Sequence, residues 1–468
     1  MRKKNRSEED MKQEKSFFVT VCQLAVPVAL QSMLQASFSI IDQIMIGQLG
    51  SVSVAGVGLA GKFAWSFSIV ASAVGAVAGI MISQYIGQNN WKEVRRSFFI
   101  NVLLVAGFAA AFTISCLLFP QQIMRLYTND PKTLHAAAGY LFIISGTFFP
   151  MTGATLLAVW FRCKEKAELP LYASIAAAFL NTGLNYMLIF GKCGAPEMGA
   201  NGAAVATVAS QLANFLIMLF MLGRDYEWIV KAKEEYVQEG NAVKAKETVQ
   251  RESFNWKQYV TMLLPILVSE VMWSLGENIY VAIYGHMGTR ASAAMTLINP
   301  VQGLMIGALC GLSQAAGILI GKKLGEGEYE EAYRDSKKLI LYGFVGSFVL
   351  SAVVILTSGA YVEIYRVEDG VKRLTEQVLF AYALIAPFKV QNMIVGGGII
   401  RSGGKTKYVL GIDMVGTWLF GVPIGLLAAF VFKLSVPYVY FLLSLEECIR
   451  YAISLAVLRR KNWMQQLS

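Results

Sequence analysis

Charge is scarce in this sequence. Only 15% of the 468 residues are charged, whereas soluble globular proteins carry roughly 25%. Proline is also rare, with 11 residues against 42 glycines, which excludes a proline-rich disordered chain and a collagen-like chain. Because 55% of the residues are hydrophobic, the composition excludes a series of soluble domains. It predicts a polytopic membrane protein instead.

The sequence also lacks the patterns of common enzymes. Its six cysteines lie in or beside apolar stretches without metal-ligand spacing, so they predict neither a disulfide framework nor a zinc site. There is no GxxxxGK[ST] loop for ATP and no HExxH motif. We therefore expect no catalytic residue, no enzymatic activity and no cofactor.

Apolar stretches long enough to cross a membrane alternate with short charged segments. A helix needs about 20 mostly apolar residues to cross the hydrocarbon core, and the first stretch has no charge from Ser16 to Ile41. The fold class predicted is therefore all-α, with twelve membrane-spanning helices. The predicted spans are 17–46, 53–84, 97–119, 135–161, 169–190, 202–222, 258–285, 291–320, 339–361, 377–400, 408–432 and 437–458.

A charged and polar segment at 224–257 separates the first six spans from the last six. We interpret it as a linker lying in water. The predicted organisation is a tail (1–16), an N-terminal six-helix lobe (17–223), the linker (224–257), a C-terminal six-helix lobe (258–458) and a second tail (459–468).

The basic residues predict the orientation of the chain. The segments on the side of the termini hold 30 Lys and Arg residues and the opposite segments hold 8, and cytoplasmic loops carry the excess of basic residues. Both termini are therefore predicted to be cytoplasmic, in the plasma (inner) membrane of a prokaryote. The net charge of +10 fits contact with an anionic leaflet of the bilayer, and we expect no nucleic acid partner.

The two halves repeat each other at one constant offset in the numbering. The stretch from Pro27 matches that from Pro265, segment 47–50 matches 285–288, and segment 86–93 matches 324–331. With one extra residue, Arg162 then matches Arg401. Since six spans separate the copies, both halves face the same way, as in transporters built from parallel repeats.

An ordered set of short motifs follows these repeats. In the first half they are Pro27, Asp42, 47–50, 78–79, 84–87, 181–191 and 202–207, and in the second half Pro265, Glu270, Trp273, 401–404, Asp413 and Trp418. Together they resemble the multidrug and toxic compound extrusion (MATE) family over nearly the whole chain. The resemblance implies a monomeric antiporter that exports small organic cations or amphipathic drugs by rocking of two lobes, coupled to Na⁺ or H⁺.

Polar residues within the first-half spans suggest a cation site. Charges at mid-membrane are costly and mark functional sites. Asp42 offers a carboxylate, Asn181 and Asn185 share a helix face, and Thr207 offers a hydroxyl; oxygen atoms suit hard cations such as Na⁺. The alternatives are a structural anchor for Asp42 and helix–helix hydrogen bonds for the asparagines. The resemblance places the family's cation site on these four residues. Many members have an aspartate where this chain has Asn185, which leaves Na⁺ against H⁺ open.

The second half holds a further set of polar candidates. Glu270 and Glu277 lie seven residues apart on one face with Trp273 between them, and Asp413 begins a later span. They form a possible site for a cationic substrate or a second ion, with a cation–π face from Trp273 or Trp418. Lys389 is a candidate partner of Glu270 or Asp413, and Glu277 is alternatively exposed to water.

The remaining charges within the spans have structural explanations. Glu446, Glu447 and Arg450 have helical spacing and are interpreted as a self-paired structural cluster. Lys62 either extends to the membrane surface or lines a cavity.

Two other functional classes compete with this interpretation. A lipid-linked saccharide flippase of a related branch would show two additional spans and more cationic residues in its cavity. A channel would conduct ionic current, and an intramembrane enzyme would need a catalytic constellation.

The orientation can be tested by cysteine labelling of a variant whose six native cysteines are replaced. The segment 46–52 is predicted to be external and 224–257 cytoplasmic. We expect an impermeant maleimide to label Ser51→Cys in intact cells, and Ser253→Cys only after permeabilisation. The opposite pattern would invert the predicted topology.

Overall fold

The computed structural model describes residues 2–224, 254–365 and 367–467, and the side chains from residue 16 onward except that of Ser51. Most of the predicted linker therefore lies outside the described residues. Within the described part the chain is helical and has no strand, which confirms the predicted all-α class.

Eight α-helices make up the first half. They are α1 (Arg2–Gly47), α2 (Ser51–Gly87), α3 (Trp91–Leu118), α4 (Pro120–Arg125), α5 (Pro131–Ile144), α6 (Phe148–Cys163), α7 (Glu168–Phe190) and α8 (Ala200–Gly223). A 3₁₀ turn at Ser145–Thr147 joins α5 to α6, so that both form one span.

The second half contains α-helices that are interrupted by π-helical turns. The α-helices are α9 (Trp256–His286), α10 (Thr289–Gly325), α11 (Tyr329–Glu363), α12 (Asp369–Asn392), α13 (Thr406–Asp413), α14 (Val422–Leu426), α15 (Val436–Ser444) and α16 (Glu446–Arg460). The π-helical segments are Met393–Ile400, Met414–Gly421 and Leu427–Val431. Such turns are rare and often occur at functional sites.

Eleven helical segments of the described chain are long and apolar enough to cross a membrane. The predicted twelfth span, 437–458, coincides with α15 and α16. The helix is interrupted at Leu445, and Glu446, Glu447 and Arg450 follow directly. This span therefore differs from the others because charge is concentrated in its middle.

The backbone repeats the offset that relates Pro27 to Pro265 in the sequence. Gly50 and Gly288 precede α2 and α10 with φ of 89° and 112°, values that favour glycine. Asn89 and Gly327 both adopt left-handed conformations after those helices end. At the same offset, the first residues of α5 and α7 correspond to those of α12 and α13. The two halves are thus structural repeats.

The start of α5 shows how a polar loop ends at a membrane span. The carboxylate of Asp130 accepts hydrogen bonds from the Thr133 hydroxyl at 2.6 Å and the Thr133 backbone N–H at 2.9 Å. These bonds hold the pKa of the Asp130 carboxyl below its usual value. This cap satisfies a free N–H group of the first helical turn, and Pro131 at the first helical position has no N–H to satisfy.

The chain divides into two compact units. We call Leu34–Tyr259 the N-unit, and Met1–Met33 with Val260–Ser468 the C-unit. The division falls inside α1, between residues 33 and 34. The lobe boundaries predicted from the linker stay a prediction. The N-unit core contains packed aromatic side chains such as Phe67 and Phe148, whose ring centres lie 4.4 Å apart with the ring planes tilted by 40°.

Within the C-unit, α1 and α10 approach closely at Gly311. A Cβ atom at Gly311 would collide with the carbonyl oxygen of Ala25. One residue away, the Cys310 thiol and the Ser32 hydroxyl are 3.0 Å apart. Small residues allow helix backbones to approach in this way in membrane proteins.

Gly311→Val should therefore destabilise the protein, by about 1–3 kcal/mol for overpacking. The matched control is Gly303→Val on the same helix, where an added Cβ meets nothing within 4 Å. We expect a lower melting temperature in detergent for the first variant only. Equal melting temperatures would contradict the close packing of α1 and α10.

Candidate functional site

Three helices of the N-unit bring the predicted cation-site residues together. Asp42 lies near the end of α1, Asn181 and Asn185 on α7, and Thr207 on α8. The Asn185 side-chain amide donates to Asp42 Oδ1 at 2.7 Å and to Asn181 Oδ1 at 3.2 Å. The Asn181 amide donates towards the Thr207 hydroxyl at 3.5 Å. The four residues that the sequence singled out are therefore neighbours in space.

The side-chain amide of Asn181 has two orientations with different chemistry. With the positions of its oxygen and nitrogen exchanged, the nitrogen lies 3.0 and 3.1 Å from the two Asp42 carboxylate oxygens and can donate to them. In the other orientation the amide oxygen would face the carboxylate oxygens, so the hydrogen-bond network favours the exchanged orientation. Asn181 and Asn185 can thus both donate to Asp42.

The cluster also contains an amide oxygen without a donor. Asn185 is 1% exposed, and its Oδ1 has no hydrogen-bond partner within the described part of the chain. Buried polar atoms without a partner are rare in folded proteins. Asn185 turns its nitrogen, and not this oxygen, towards Asp42 and Asn181. The oxygen atoms of Asp42, Asn181 and Thr207 are therefore the donors that Na⁺ could take.

The cluster does not resemble a transition-metal site. In the residues that the structure describes, no three His, Cys, Asp or Glu side chains are grouped to hold a metal ion. The charge at the cluster comes from the Asp42 carboxylate, and the other members are neutral. Such a set suits a monovalent cation or a proton.

Ser210 belongs to this cluster although the sequence argument did not select it. Its hydroxyl accepts from the Asn181 amide at 3.3 Å and is buried. Ser210 follows Thr207 by three residues on α8, so both lie on one helix face. This spacing was the signal that could have identified it.

The second-half candidates separate into distinct places within the C-unit. Glu270 lies 3.6 Å from Arg401, and Trp273 is 40% exposed. Asp413 forms an ion pair with Arg450 and accepts a hydrogen bond from Ser269. The hypothesis that Lys389 pairs with Glu270 or Asp413 is therefore wrong. Arg401 pairs with Glu270, and Arg450 pairs with Asp413.

The charged cluster at the start of α16 pairs within itself and also with residues on other helices. Arg450 contacts Glu447 at 3.3 Å, as the helical spacing predicted, but it also contacts Asp413 on α13. Glu447 accepts from the Asn392 amide at 2.8 Å. Glu446 accepts from the Tyr280 hydroxyl at 2.5 Å. Each buried charge thus has a partner on another helix, which low-dielectric surroundings require.

Glu277 and Lys389 line one cavity of about 140 Å³ in the C-unit. Its wall includes four tyrosines and further polar groups from α10, α15 and α16. The remaining lining residues that bear on its chemistry are Tyr280, Tyr284, Asn299, Gln302, Tyr382, Tyr440, Glu446 and Glu447. This cavity was not foreseen, because its walls come from helices far apart in the sequence.

The last two candidates have simpler surroundings. The Trp418 indole donates to the backbone oxygen of Met272 at 3.3 Å, so its N–H joins two helices. Lys62 is exposed on α2, and the choice between its two predicted roles stays open.

Comparisons with known proteins agree with this architecture. The MatE family model matches residues 27–187 and 265–427. These two stretches begin at Pro27 and Pro265, the prolines that are equivalent in the internal repeat.

Similar proteins include two named as multidrug resistance proteins and a solved structure. The probable multidrug resistance protein NorM of Thermotoga maritima is 23% identical over 417 residues, which cover 88% of this chain and 86% of that protein. The probable multidrug resistance protein YoeA of Bacillus subtilis is 23% identical, with 88% and 87% covered. A crystal structure of a variant of the Vibrio cholerae MATE transporter VcmN superposes with a TM-score of 0.83 at 16% identity, covering 96% of this chain and 99% of that one. Because the family model covers more than half of the sequence in two matching stretches, this chain belongs to the MatE family of MATE multidrug efflux transporters.

Proposed function

We propose that this protein is a cation-coupled antiporter that exports amphipathic, often cationic organic compounds. The family and the multidrug names of the relatives support the class of substrate. One observation carries the coupling: the Asp42 carboxylate lies against the buried amides of Asn181 and Asn185 and accepts a hydrogen bond from Asn185 at 2.7 Å.

The coupling step uses the hydrogen bonds that the Asp42 carboxylate accepts. While Asp42 is ionised and empty, the amide N–H groups of Asn181 and Asn185 neutralise it by hydrogen bonds. When Na⁺ binds or the carboxyl takes up a proton, the negative charge that these N–H groups stabilise is neutralised. A ligand shifts a two-state protein only by its different affinity for the two states. Here that difference comes from these few hydrogen bonds.

The direction of transport follows from the orientation proposed for the chain. With both termini in the cytoplasm of a prokaryote, the protein lies in the inner membrane as a monomer and moves its substrates outward. The ion gradient supplies about 2.3 kcal/mol per charge for each 100 mV, in addition to the concentration term. That suffices for uphill export without ATP.

Asp42→Asn should abolish coupled efflux while expression stays normal. The substitution preserves side-chain volume and one acceptor oxygen for Asn185 but removes the charge that binds the cation. Efflux is measured in proteoliposomes under separately imposed Na⁺ and H⁺ gradients. The gradient that drives the unmodified protein identifies its coupling ion.

The matched control is Asp369→Asn, which changes an exposed aspartate at the start of α12. It should keep efflux at the level of the unmodified protein. Full coupled efflux by the Asp42→Asn protein would exclude the cluster as the coupling site.

We also propose that Glu270 contributes to substrate handling in the C-unit. Its carboxylate is 29% exposed while its partner Arg401 is 17% exposed, and the two lie 3.6 Å apart. This contact is long for a bidentate ion pair, so Glu270 keeps the capacity to meet a cationic group.

Glu270→Gln should reduce export of cationic compounds more than export of neutral compounds. The amide keeps the shape of the side chain and removes its charge. Export rates of a matched cationic and neutral pair are compared in the same vesicles, with the exposed Glu376→Gln as control.

A purely structural ion pair gives a different result. In that case Glu270→Gln would lower the melting temperature and Arg401→Met would restore it in the double variant, since an unpaired buried charge is the costly element. A stable variant with unchanged export of both compounds would remove Glu270 from the transport site.

A further inference from the structure

Two opposite charges without a direct partner face the same cavity of the C-unit. Glu277 on α9 and Lys389 on α12 both line it. Among the residues described by the structure, neither side chain makes an ion pair within 4.0 Å or a hydrogen bond. Isolated charges inside a membrane protein are costly, so their presence indicates a ligand that pairs with them.

The other two acids of the cavity do not supply that partner. The carboxylate of Glu446 is held by the Tyr280 hydroxyl at 2.5 Å. The carboxylate of Glu447 is held by Asn392 at 2.8 Å and Arg450 at 3.3 Å. Lys389 interacts with these acids electrostatically at longer range, and its strongest such interaction is with Glu277. The Lys389 ammonium and the Glu277 carboxylate are therefore the two charged groups of the cavity that lack a direct partner.

Packing fixes the helices that carry these two groups. Next to Glu277, a Cβ atom at Gly276 would collide with the Thr417 side chain, so α9 is held against the π-helical segment Met414–Gly421. Lys389 lies in α12 between the buried residues Pro387 and Val390. Both helices are thus packed against neighbours beside the cavity.

The cavity is small and has aromatic walls. Its volume of about 140 Å³ is close to that of an engineered cavity of about 150 Å³ that holds benzene. The rings of Tyr284 and Tyr440 lie 6.4 Å apart, and Gln302 donates to the Tyr440 hydroxyl at 3.0 Å. The space suits a molecule of single-ring size and not a bulky drug.

The repeat gives this cavity a counterpart in the N-unit. At the offset that relates Pro27 to Pro265, Asp42 corresponds to Tyr280, which lines the cavity. The position that carries the negative charge of the N-unit cluster is neutral in the C-unit. The C-unit cavity instead carries one free charge of each sign.

We propose that this cavity binds a small zwitterion. The anionic group of the ligand pairs with Lys389 and its ammonium pairs with Glu277, while the tyrosines contact the carbon skeleton. This inference goes beyond the proposed function, because a small zwitterion differs from the amphipathic, often cationic compounds proposed there. A ligand with a single charge would leave one of the two groups unpaired, and sites built for two polar contacts reject molecules that lack one of them.

The test measures binding to the purified protein in detergent by calorimetry. The probes are ω-amino acids from glycine to 6-aminohexanoate, each compared with the alkylamine and the alkyl carboxylate of equal length. Because the two charges are fixed on packed helices, affinity should peak at one chain length. There the amino acid should bind at least about ten-fold more tightly than either singly charged analogue, which corresponds to about 1.4 kcal/mol.

Two variants should change this selectivity in opposite directions. Lys389→Met should lose the preference for the amino acid and favour the alkylamine. Glu277→Gln should lose it and favour the carboxylate. The control Lys62→Met removes an exposed lysine of the N-unit and should bind as the unmodified protein does. Melting temperatures establish that each variant is folded.

The proposal is overturned if the alkylamine binds the unmodified protein as tightly as the amino acid, or if no probe binds to the folded protein. It is equally overturned if Lys389→Met leaves the ranking of the three probes unchanged. Binding to Asp42→Asn should be intact, because Asp42 belongs to the other unit. Efflux by the Asp42→Asn protein tests the proposed function and zwitterion binding tests this inference, so either one can fail without the other.

Discussion

The structure depends on one constraint: a charge inside a membrane protein needs a partner or a ligand. In the C-unit, Arg450 joins Asp413 to Glu447, and Tyr280 holds Glu446. Of these contacts, only that of Arg450 with Glu447 lies within one helical turn. The charged side chains therefore act as links between helices, in a fold where apolar contacts with lipid cannot select one helix arrangement over another.

The two repeats meet this constraint in different ways. The N-unit surrounds a single carboxylate with neutral amides and hydroxyls, which leaves the cluster able to gain or lose a cation. The C-unit pairs several of its charges internally, and Glu277 and Lys389 both line one cavity. The repeated helices thus surround a single carboxylate in one half and charges of both signs in the other.

Much of this was predictable from the sequence. Span limits follow from hydropathy, the repeat from matching positions such as Pro27 and Pro265, and the N-unit cluster from helical spacing and the family motifs. The partners of Glu270 and Asp413 were not predictable. The π-helical turn Met393–Ile400 lies between Lys389 and Arg401, and its extra residue changes the helix face on which later side chains lie. Arg401 therefore meets Glu270, while Lys389 points to a different set of acids.

The asparagine at position 185 has a consequence for the electrical work of transport. With an aspartate there, the cluster would hold two negative charges and remain anionic after taking one monovalent cation. With Asn185, a cluster that holds one Na⁺ or one proton on Asp42 is neutral. A neutral cluster feels no net force from the membrane potential, whereas the empty one carries a single negative charge. In the proposed exchange cycle the voltage therefore exerts no net force on the cation-loaded cluster, and it acts on the cluster only in the half of the cycle in which the exported substrate has replaced the cation.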